Sequence, residues 1–369
     1  MAAEFDLADL KIEDTNLAGV GSEEDKACRK QAAQQEEAWK GCGAAPGVEV
    51  WRIEQFKVVP WPKAEYGNFY EGDSYIVLRT TKDPDGEKLL WNIFFWLGLK
   101  STADEQGTAA YKTVELDDLF DGAPIQHREV MMHESAEFKS MFTKISYLTG
   151  GVESGFRHVE TGGAYVPKLL LVKRLASKIH VVQVPTARDS LNHGDAFVLD
   201  AGARVYAWFG SEASPFEKQA ANTLAENLEN ERAGAAKATT DVDDAFWETL
   251  GGPGDIKPAG QEPTLPQAMP VGEGVLYKLS DESGELKCSE VGRGDLSKGQ
   301  LDSGNVYICD PGPQLLVWVG AGASDREYRT ALITATRYLK CNGKPVTTPV
   351  AMMSEGQPMP APFNAIFSN

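Results

Sequence analysis

The chain has 369 residues, of which 42% are hydrophobic, and its 36 basic and 54 acidic side chains give a formal net charge of -18. This length accommodates about two to four compact domains. Because the chain is so acidic and has no apolar run of about eighteen residues, we expect no nucleic-acid partner and no integral membrane protein.

The N-terminal segment is predicted to be an extension over residues 1–47, with one helix, EEDKACRKQAAQQEEAWK, and without a core of its own. It has no apolar stretch of signal-peptide length. The cysteines form no C-x-x-C pair, which argues against a disulfide framework and a zinc site. They are Cys28, Cys42, Cys288, Cys309 and Cys341. These features predict a cytoplasmic protein.

One pattern occurs three times along the chain. Each copy has Gly followed by Asp or Asn, a short apolar run, a Trp-x-Gly, and a Glu seven residues after that Gly. The copies are marked by Asp73, Asp195 and Asn305. Their separations are domain-sized, which excludes a short solenoid repeat. In the first copy the extra residues TTKDPDGEKLL contain a Pro-Asp-Gly turn, which predicts a longer β-hairpin.

A helix is predicted after the Trp-x-Gly of each copy. The pattern is clearest in SPFEKQAANTLAENLENER, where Ser214 is an N-cap, Pro215 lies in the first turn, and apolar residues recur every four positions. A second helix is predicted in the first copy, over about residues 135–147, from the apolar stripe of SAEFKSMFTKISYL. Strands followed by a helix indicate an α+β fold.

The repeats and the composition predict five segments. They are the extension 1–47, a first domain over 48–160, a second over 161–250, a Pro- and Gly-rich linker over 251–274, and a third domain over 275–369.

The repeated glutamate has two interpretations from its spacing alone. A Thr or Ser lies three residues before each one, which completes a capping box. These pairs are Thr102 with Glu105, Ser214 with Glu217, and Ser324 with Glu327. Alternatively, a Gly carbonyl, the next Asp and this Glu supply three or four of the hard oxygen ligands that calcium requires. Both interpretations stay open at this point.

An enzymatic role has no motif to support it. The five histidines form no H-E-x-x-H, and the sequence has neither G-x-S-x-G nor a phosphate-binding G-x-x-x-x-G-K-[ST] loop. The sequence therefore predicts a binding protein.

A family resemblance is carried by four stretches near the first copy: GVEVWRIEQFKVVPWPKAEYGNFYEGDSYIVL, STADEQGTAA, VELDDLFDGAPIQHREV and GGVESGFRHV. They resemble the first domain of the gelsolin superfamily of actin regulators, and the three-copy length is most similar to its fragmin and severin branch. The resemblance implies three gelsolin-like domains, each a central mixed, mainly antiparallel sheet flanked by helices. It also implies a calcium-dependent protein that severs actin filaments, caps their barbed ends and nucleates new ones. The alternative is calcium-dependent capping without severing.

The resemblance implies one calcium site in each of the three domains and a second site in the first domain. In the first domain the ligands are Gly72, Asp73, Glu105 and Val152, with a second set at Asp117, Gly122 and Pro124 that actin completes. In the second domain they are Gly194, Asp195 and Glu217, with Asp255 or Glu262 as candidates from the linker. In the third domain Glu327 is retained, but Asn305 replaces the expected Asp, so we expect a weak or empty site.

Contacts with actin monomers, filament sides and barbed ends are also implied. The helix over about 135–147 resembles the element that enters the actin cleft, although its apolar stripe also fits packing on its own sheet. The implied actin-binding residues are Tyr111, Phe156, Phe138, Phe142, Lys173, Arg174 and Lys178. The basic stretch PKLLLVKRLASK implies phosphoinositide binding at Lys168, Lys173, Arg174 and Lys178, or else ordinary solvated lysines.

Overall fold

The structure is a computed structural model that describes residues 4–5, 23–84, 86–152, 165–175, 178–261, 265 and 271–368. Over these residues the chain is α+β and divides into two compact units. The first unit comprises the described residues of Met1–Ala64, Asp73–Met141 and Pro266–Asn369, and the second those of Glu65–Gly72 and Phe142–Leu265. The predicted fold class is confirmed, whereas the five domain boundaries stay predictions.

The helices of the described chain are α1 (Glu23–Gln35), α2 (Ala103–Leu119), α3 (Ala136–Ser140), α4 (Pro215–Glu231), α5 (Asp244–Thr249), α6 (Asp325–Cys341) and α7 (Ala361–Asn364). Three of them, α2, α4 and α6, have the same length and follow the Trp-x-Gly of one repeat each. All three begin at a capping box, as the Ser/Thr-x-x-Glu spacing predicts.

The first unit contains a sheet of eleven described strands. Its strands are β1 (Glu4–Phe5), β2 (Gly47–Glu54), β3 (Lys57–Pro60), β5 (Ser74–Lys82), β6 (Leu89–Leu97), β7 (Ile125–Val130), β14 (Val275–Ser280), β15 (Lys287–Arg293), β17 (Val306–Asp310), β18 (Leu315–Val319) and β19 (Val350–Ser354). Their order is β1-β15-β14-β17-β18-β19-β7-β6-β5-β2-β3. The antiparallel pairing of β7 with β19 therefore joins strands of the first and third repeats in one sheet.

The second unit contains a sheet of seven described strands. They are β4 (Asn68–Tyr70), β8 (Lys144–Leu148), β9 (Lys168–Leu175), β10 (Lys178–Val184), β11 (Ala196–Asp200), β12 (Arg204–Phe209) and β13 (Lys237–Thr239). The order is β13-β12-β11-β9-β10-β8-β4, with parallel pairs only toward the two edges. Two short strands, β16 (Leu296–Ser297) and β20 (Phe367–Ser368), pair separately in the first unit.

The long hairpin predicted in the first repeat is confirmed. Strands β5 and β6 pair antiparallel from Ser74 opposite Leu97 to Lys82 opposite Leu89, so the inserted residues extend both strands and form their turn. The first repeat thus gains length at the hairpin end, away from the Gly-Asp step.

The predicted N-terminal helix is confirmed as α1, and the extension adds to the core of the first repeat. The Trp39 side chain is 2% exposed, and its ring lies 5.0 Å from that of Trp51. Its Nε1 donates to Glu115 Oε1 on α2 at 3.1 Å, and Arg29 Nε lies 2.6 Å from Asp118 Oδ2. The extension is therefore attached to β2 by a buried aromatic contact and to α2 by a hydrogen bond and an ion pair.

The prediction of a helix over about residues 135–147 was wrong. The structure has the five-residue α3, followed by strand β8, which pairs in parallel with β10 and β4 in the second unit. The apolar spacing of SAEFKSMFTKISYL fits one helical stripe, but the burial of Ile145 and Tyr147 as strand residues overrides it. The long helix of the first repeat is α2.

A pH dependence of stability is predicted at Glu129 in β7. Its two oxygens accept from Ser135 N at 2.8 Å and Ser135 Oγ at 2.6 Å. Burial raises the pKa of Glu129 to about 8 despite these bonds, with Glu134 raising it further and Lys139 lowering it. Since the folded pKa exceeds the ordinary value of 4.5, the folded chain holds a proton that the unfolded chain releases.

The contribution of Glu129 to the free energy of unfolding is therefore present in full below about pH 4.5. It is lost as the pH rises toward about 8, at up to about 1.4 kcal/mol per pH unit. Urea denaturation of the calcium-free wild type and of Glu129→Gln across this pH range measures this decline. We expect a shallower decline for the variant, and equal slopes would contradict the assignment.

Candidate functional site

The Asp or Asn of each repeat is fixed by the same backbone hydrogen bond. The N–H of the Trp-x-Gly glycine donates to its carbonyl: Gly98 to Asp73 at 2.9 Å, Gly210 to Asp195 at 2.9 Å, and Gly320 to Asn305 at 3.0 Å. Any Cβ on Gly210 would lie 2.4 Å from the His193 carbonyl, so the close approach requires glycine. The spacing between the two motifs thus has a structural cause.

The repeated glutamates serve as capping residues in all three repeats. Oε2 of Glu105, Glu217 and Glu327 accepts from the N-cap backbone N–H at 3.0, 3.0 and 2.9 Å. All three side chains are less than 10% exposed, at 8%, 7% and 1%. The capping interpretation is confirmed, and it leaves Oε1 of each carboxylate for other contacts.

In the second repeat, one strand end brings Asp195 and Glu217 together. Lys173 Nζ lies 2.8 Å from Asp195 Oδ1, and the adjacent Arg174 N donates to Glu217 Oε1 at 2.9 Å. Asn192 Nδ2 donates to the other Asp195 oxygen at 2.9 Å, and its Oδ1 accepts from Gly194 N at 2.8 Å. A lysine ammonium therefore occupies the acidic cluster of this repeat.

In the first repeat, a guanidinium takes the corresponding place. Arg52 Nε lies 2.9 Å from Asp73 Oδ2, and both side chains are buried, at 2% and 0% exposed. Tyr75 OH donates to the same oxygen at 3.2 Å. Gly72 and Val152 belong to the second unit, where Gly72 N donates to the Gly150 carbonyl at 2.8 Å.

In the third repeat, Lys278 of β14 brings a cation to within 3.4 Å of Asp302 Oδ2 and 3.8 Å of Glu282 Oε1, and the amide of Asn305 replaces the repeated carboxylate. Its Nδ2 donates to Asp302 Oδ1 at 2.6 Å and lies 3.5 Å from Glu282 Oε1, while Asp281 N donates to Glu327 Oε1 at 3.0 Å. The Asn305 side chain is 1% exposed, and its Oδ1 has no hydrogen-bond partner among the described residues. Burial raises the pKa of Glu327.

The second set of predicted ligands lies at the C-terminal end of α2. Asp117 is 3% exposed, and its Oδ1 has no hydrogen-bond partner within the described chain. Burial, followed by the Asp118 charge, raises the pKa of Asp117 to about 8. The Gly122 and Pro124 carbonyls point at one nitrogen of the third repeat, Gln357 Nε2, which lies 3.1 Å from each.

The comparisons with known proteins follow the same three-part division. The gelsolin repeat model matches residues 55–139, 177–243 and 289–358. The chain belongs to the gelsolin family. Gelsolin-like protein 1 of Lumbricus terrestris is 41% identical over 316 residues, 84% of each chain, and severin of Echinococcus granulosus is 39% identical over 374 residues, 97% of each. The actin depolymerising venom protein gelsolin 1 of Platymeris rhadamanthus is 37% identical over 330 residues, 86% of this chain and 87% of that relative.

The basic residues of this gelsolin family member do not form one free surface. Lys173 contacts Asp195, and Lys178 Nζ donates to the Phe142 carbonyl at 3.0 Å. The exposed Arg174 guanidinium lies over the Phe216 ring, 4.3 Å from its centroid, and Lys168 is half-buried at the start of β9. Among the described residues of this stretch, 167–175 and 178, Arg174 is thus the exposed one, and the Phe216 ring beneath it is 57% exposed.

The predicted apolar anchors of the gelsolin repeat lie in different environments. Tyr111 projects from α2 and is 48% exposed, whereas Phe138 and Phe142 are 0% and 5% exposed. The Phe138 ring packs edge-on against Phe94 at 5.7 Å. Phe156 lies outside the described residues. Of the three described anchors, only Tyr111 is accessible to a partner.

Several residues of these gelsolin sites were not singled out from the sequence. Arg52 is one of them, whereas Lys173 was predicted to bind actin and phosphoinositides and not to pair with Asp195; no local pattern indicates either pairing with a distant Asp. The acidic turn after β14, which contains Asp281 and Glu282, could have been recognised as a group of possible ligands from its composition. No sequence pattern indicates Gln357, because its contact depends on the pairing of β7 with β19.

Proposed function

We propose that this protein severs actin filaments and caps their barbed ends under the control of calcium. The observation that carries the proposal is the gelsolin repeat in three copies. The first two copies each have a buried Asp and a buried Glu, and the third has Asn305 in place of the Asp. Relatives over most of the chain length are named severin and actin depolymerising protein, which supports action on actin. Nucleation of new filaments belongs to the same proposal.

Calcium is the cation that these sites fit best. The donors are carboxylate and carbonyl oxygens, which calcium prefers, and orphaned buried oxygens of Asp117 and Asn305 remain to be satisfied. The described residues contain no group of three His, Cys, Asp or Glu side chains that holds a metal by itself, so backbone carbonyls have to complete each site. A bound calcium supplies positive charge that links its carboxylates.

Internal cations set the cost of calcium binding. Arg52 and Lys173 already neutralise Asp73 and Asp195, so calcium has to displace them or share their carboxylates. We propose that this displacement changes the strand ends beside each helix start. Release of β19 from β7 then frees the first repeat from the third, and the exposed face of α2, with Tyr111, contacts actin.

The proposal is tested by dilution of pyrene-labelled actin filaments with the full chain, in calcium and in a calcium chelator. We expect fast depolymerisation in calcium alone. Fluorescence imaging of single filaments distinguishes severing from the alternative, calcium-dependent capping: internal breaks support severing, and their absence with blocked barbed-end growth supports capping. Equal depolymerisation in both conditions would contradict calcium control.

Lys173 is predicted to weaken calcium binding in the second repeat. Because its ammonium lies 2.8 Å from Asp195 Oδ1, Lys173→Met removes a competing charge, and we expect calcium affinity at this site to rise about tenfold. Isothermal titration of the full chain measures the change. Lys168→Met, on the same strand, is the matched control and is expected to match wild type, and an unchanged affinity in Lys173→Met would refute the competition.

The location and the lipid partner are part of the same proposal. We place the protein in the cytoplasm with the actin cytoskeleton, supported by free thiols at Cys42, Cys288, Cys309 and Cys341, of which the first three are buried. None of the described helices has the length and apolar character needed to cross a bilayer. Phosphoinositide binding at Lys168, Lys173, Arg174 and Lys178 stays a prediction, for which vesicle co-sedimentation is the direct measurement.

A further inference from the structure

The side chain of Gln357 makes an unusual contact with the first repeat. Its Nε2 lies 3.1 Å from the Gly122 carbonyl oxygen, 2.9 Å from that of Ala123 and 3.1 Å from that of Pro124. Its Oε1 accepts from Ser354 N at 2.8 Å, which fixes the orientation of the amide. One nitrogen thus faces three consecutive carbonyl oxygens, which we name the 122–124 cradle.

The chemistry of the 122–124 cradle suits a cation better than an amide. A side-chain NH₂ group has two hydrogens, so it cannot make three separate hydrogen bonds. Three carbonyl oxygens that converge on one point are a typical part of a calcium coordination shell, where oxygens lie at about 2.3–2.6 Å. The observed distances are larger by about half an ångström, as expected for a neutral nitrogen in the place of a metal ion.

The fold places Gln357 at the cradle through strand pairing. Strand β7 begins directly after Pro124, and its Gln126 is opposite Met352 of β19. Beyond β19, a turn through Gly356, which has a φ of 86°, returns the chain so that Gln357 N donates to the Ser354 carbonyl. The amide therefore reaches the cradle while β19 is paired with β7.

We propose that Gln357 is an intramolecular occupant of the 122–124 cradle that lowers its affinity for calcium. Occupation of the cradle by calcium and its occupation by the Gln357 amide exclude each other, so calcium binding there weakens the union of the first and third repeats. By linkage, the pairing of β19 with β7 lowers calcium affinity to the same degree. The proposal rests on the proposed function only in taking the cradle as a calcium site.

The test is calcium titration of the full chain by calorimetry, without actin. Gln357→Ala is expected to tighten one calcium-binding step about fivefold, the effect of losing one net hydrogen bond. Gln357→Asn keeps the amide but is one methylene shorter, and it is expected to behave like the alanine variant. Gln300→Ala is the matched control, because Gln300 accepts from Ser297 N within the third repeat. It is expected to match wild type.

Assignment to this site uses Asp117. In an Asp117→Ala background, Gln357→Ala is expected to have no effect on calcium affinity, and an equal effect there would overturn the proposal. The amide hydrogen exchange of residues 350–352 provides a second readout. We expect calcium to speed this exchange, and to do so at a lower calcium concentration in Gln357→Ala than in wild type. Unchanged affinity in both Gln357 variants refutes the role of Gln357 and leaves calcium control of actin standing. Conversely, wild-type severing that ignores calcium contradicts the proposed function without altering these titrations.

Discussion

Asp73→Ala is expected to lower the free energy of unfolding of the calcium-free chain by about 3–5 kcal/mol, because it removes the nearest carboxylate of a buried guanidinium. Arg52 and Asp73 are 2% and 0% exposed, and Arg52 Nε lies 2.9 Å from Asp73 Oδ2. The guanidinium also lies over the Trp61 ring, 5.2 Å from its centroid. Urea denaturation followed by tryptophan fluorescence measures the first unfolding transition.

The double variant Arg52→Met with Asp73→Ala distinguishes a buried charge from simple loss of packing. In Asp73→Ala the buried guanidinium loses its 2.9 Å partner and keeps Glu54 Oε1 at 3.8 Å, so removing the guanidinium as well is expected to recover part of the lost stability. A loss below about 1 kcal/mol in Asp73→Ala would show that the pair is hydrated and weak. Calcium is expected to stabilise wild type more than Asp73→Ala, because the variant lacks one ligand.

Phe138→Ala is expected to lower the free energy of unfolding by about 3–5 kcal/mol, because the ring is fully buried. It packs against Phe94 at 5.7 Å, and Phe94 in turn stacks on His127 at 4.2 Å. Phe138 is thus a core residue of the first repeat, and we expect any loss of actin binding in this variant to follow from its lower stability. Thermal or urea denaturation provides the measurement.

Tyr111→Ala is the contrasting variant for the actin surface. Because Tyr111 is 48% exposed, we expect stability to change by no more than about 0.5 kcal/mol, whereas the affinity for monomeric actin in calcium falls by about tenfold or more. Co-sedimentation and monomer binding assays measure this. Normal actin affinity in Tyr111→Ala would exclude the exposed face of α2 as the main contact.

Helix starts were predictable because their determinants are local. The Ser or Thr N-cap and the Glu three residues later satisfy each other's backbone donors, so spacing alone predicts the capping boxes of α2, α4 and α6. The hairpin of β5 and β6 follows likewise from two apolar runs around a Pro-Asp-Gly turn. The helix prediction after Ser135 failed because the local sequence does not decide the structure there. Its apolar residues fit a helix and a strand equally well.

The sequence by itself determined the three repeats, their α+β class, the helix starts and the acidic residues that each repeat presents, because these depend on neighbours close along the chain. Only the tertiary structure decided which charges those acids meet, that the Asn305 amide donates to Asp302, and that Gln357 faces the 122–124 cradle. These contacts form between residues far apart in sequence. They depend on strand order and on the pairing of β7 with β19, which no local pattern encodes.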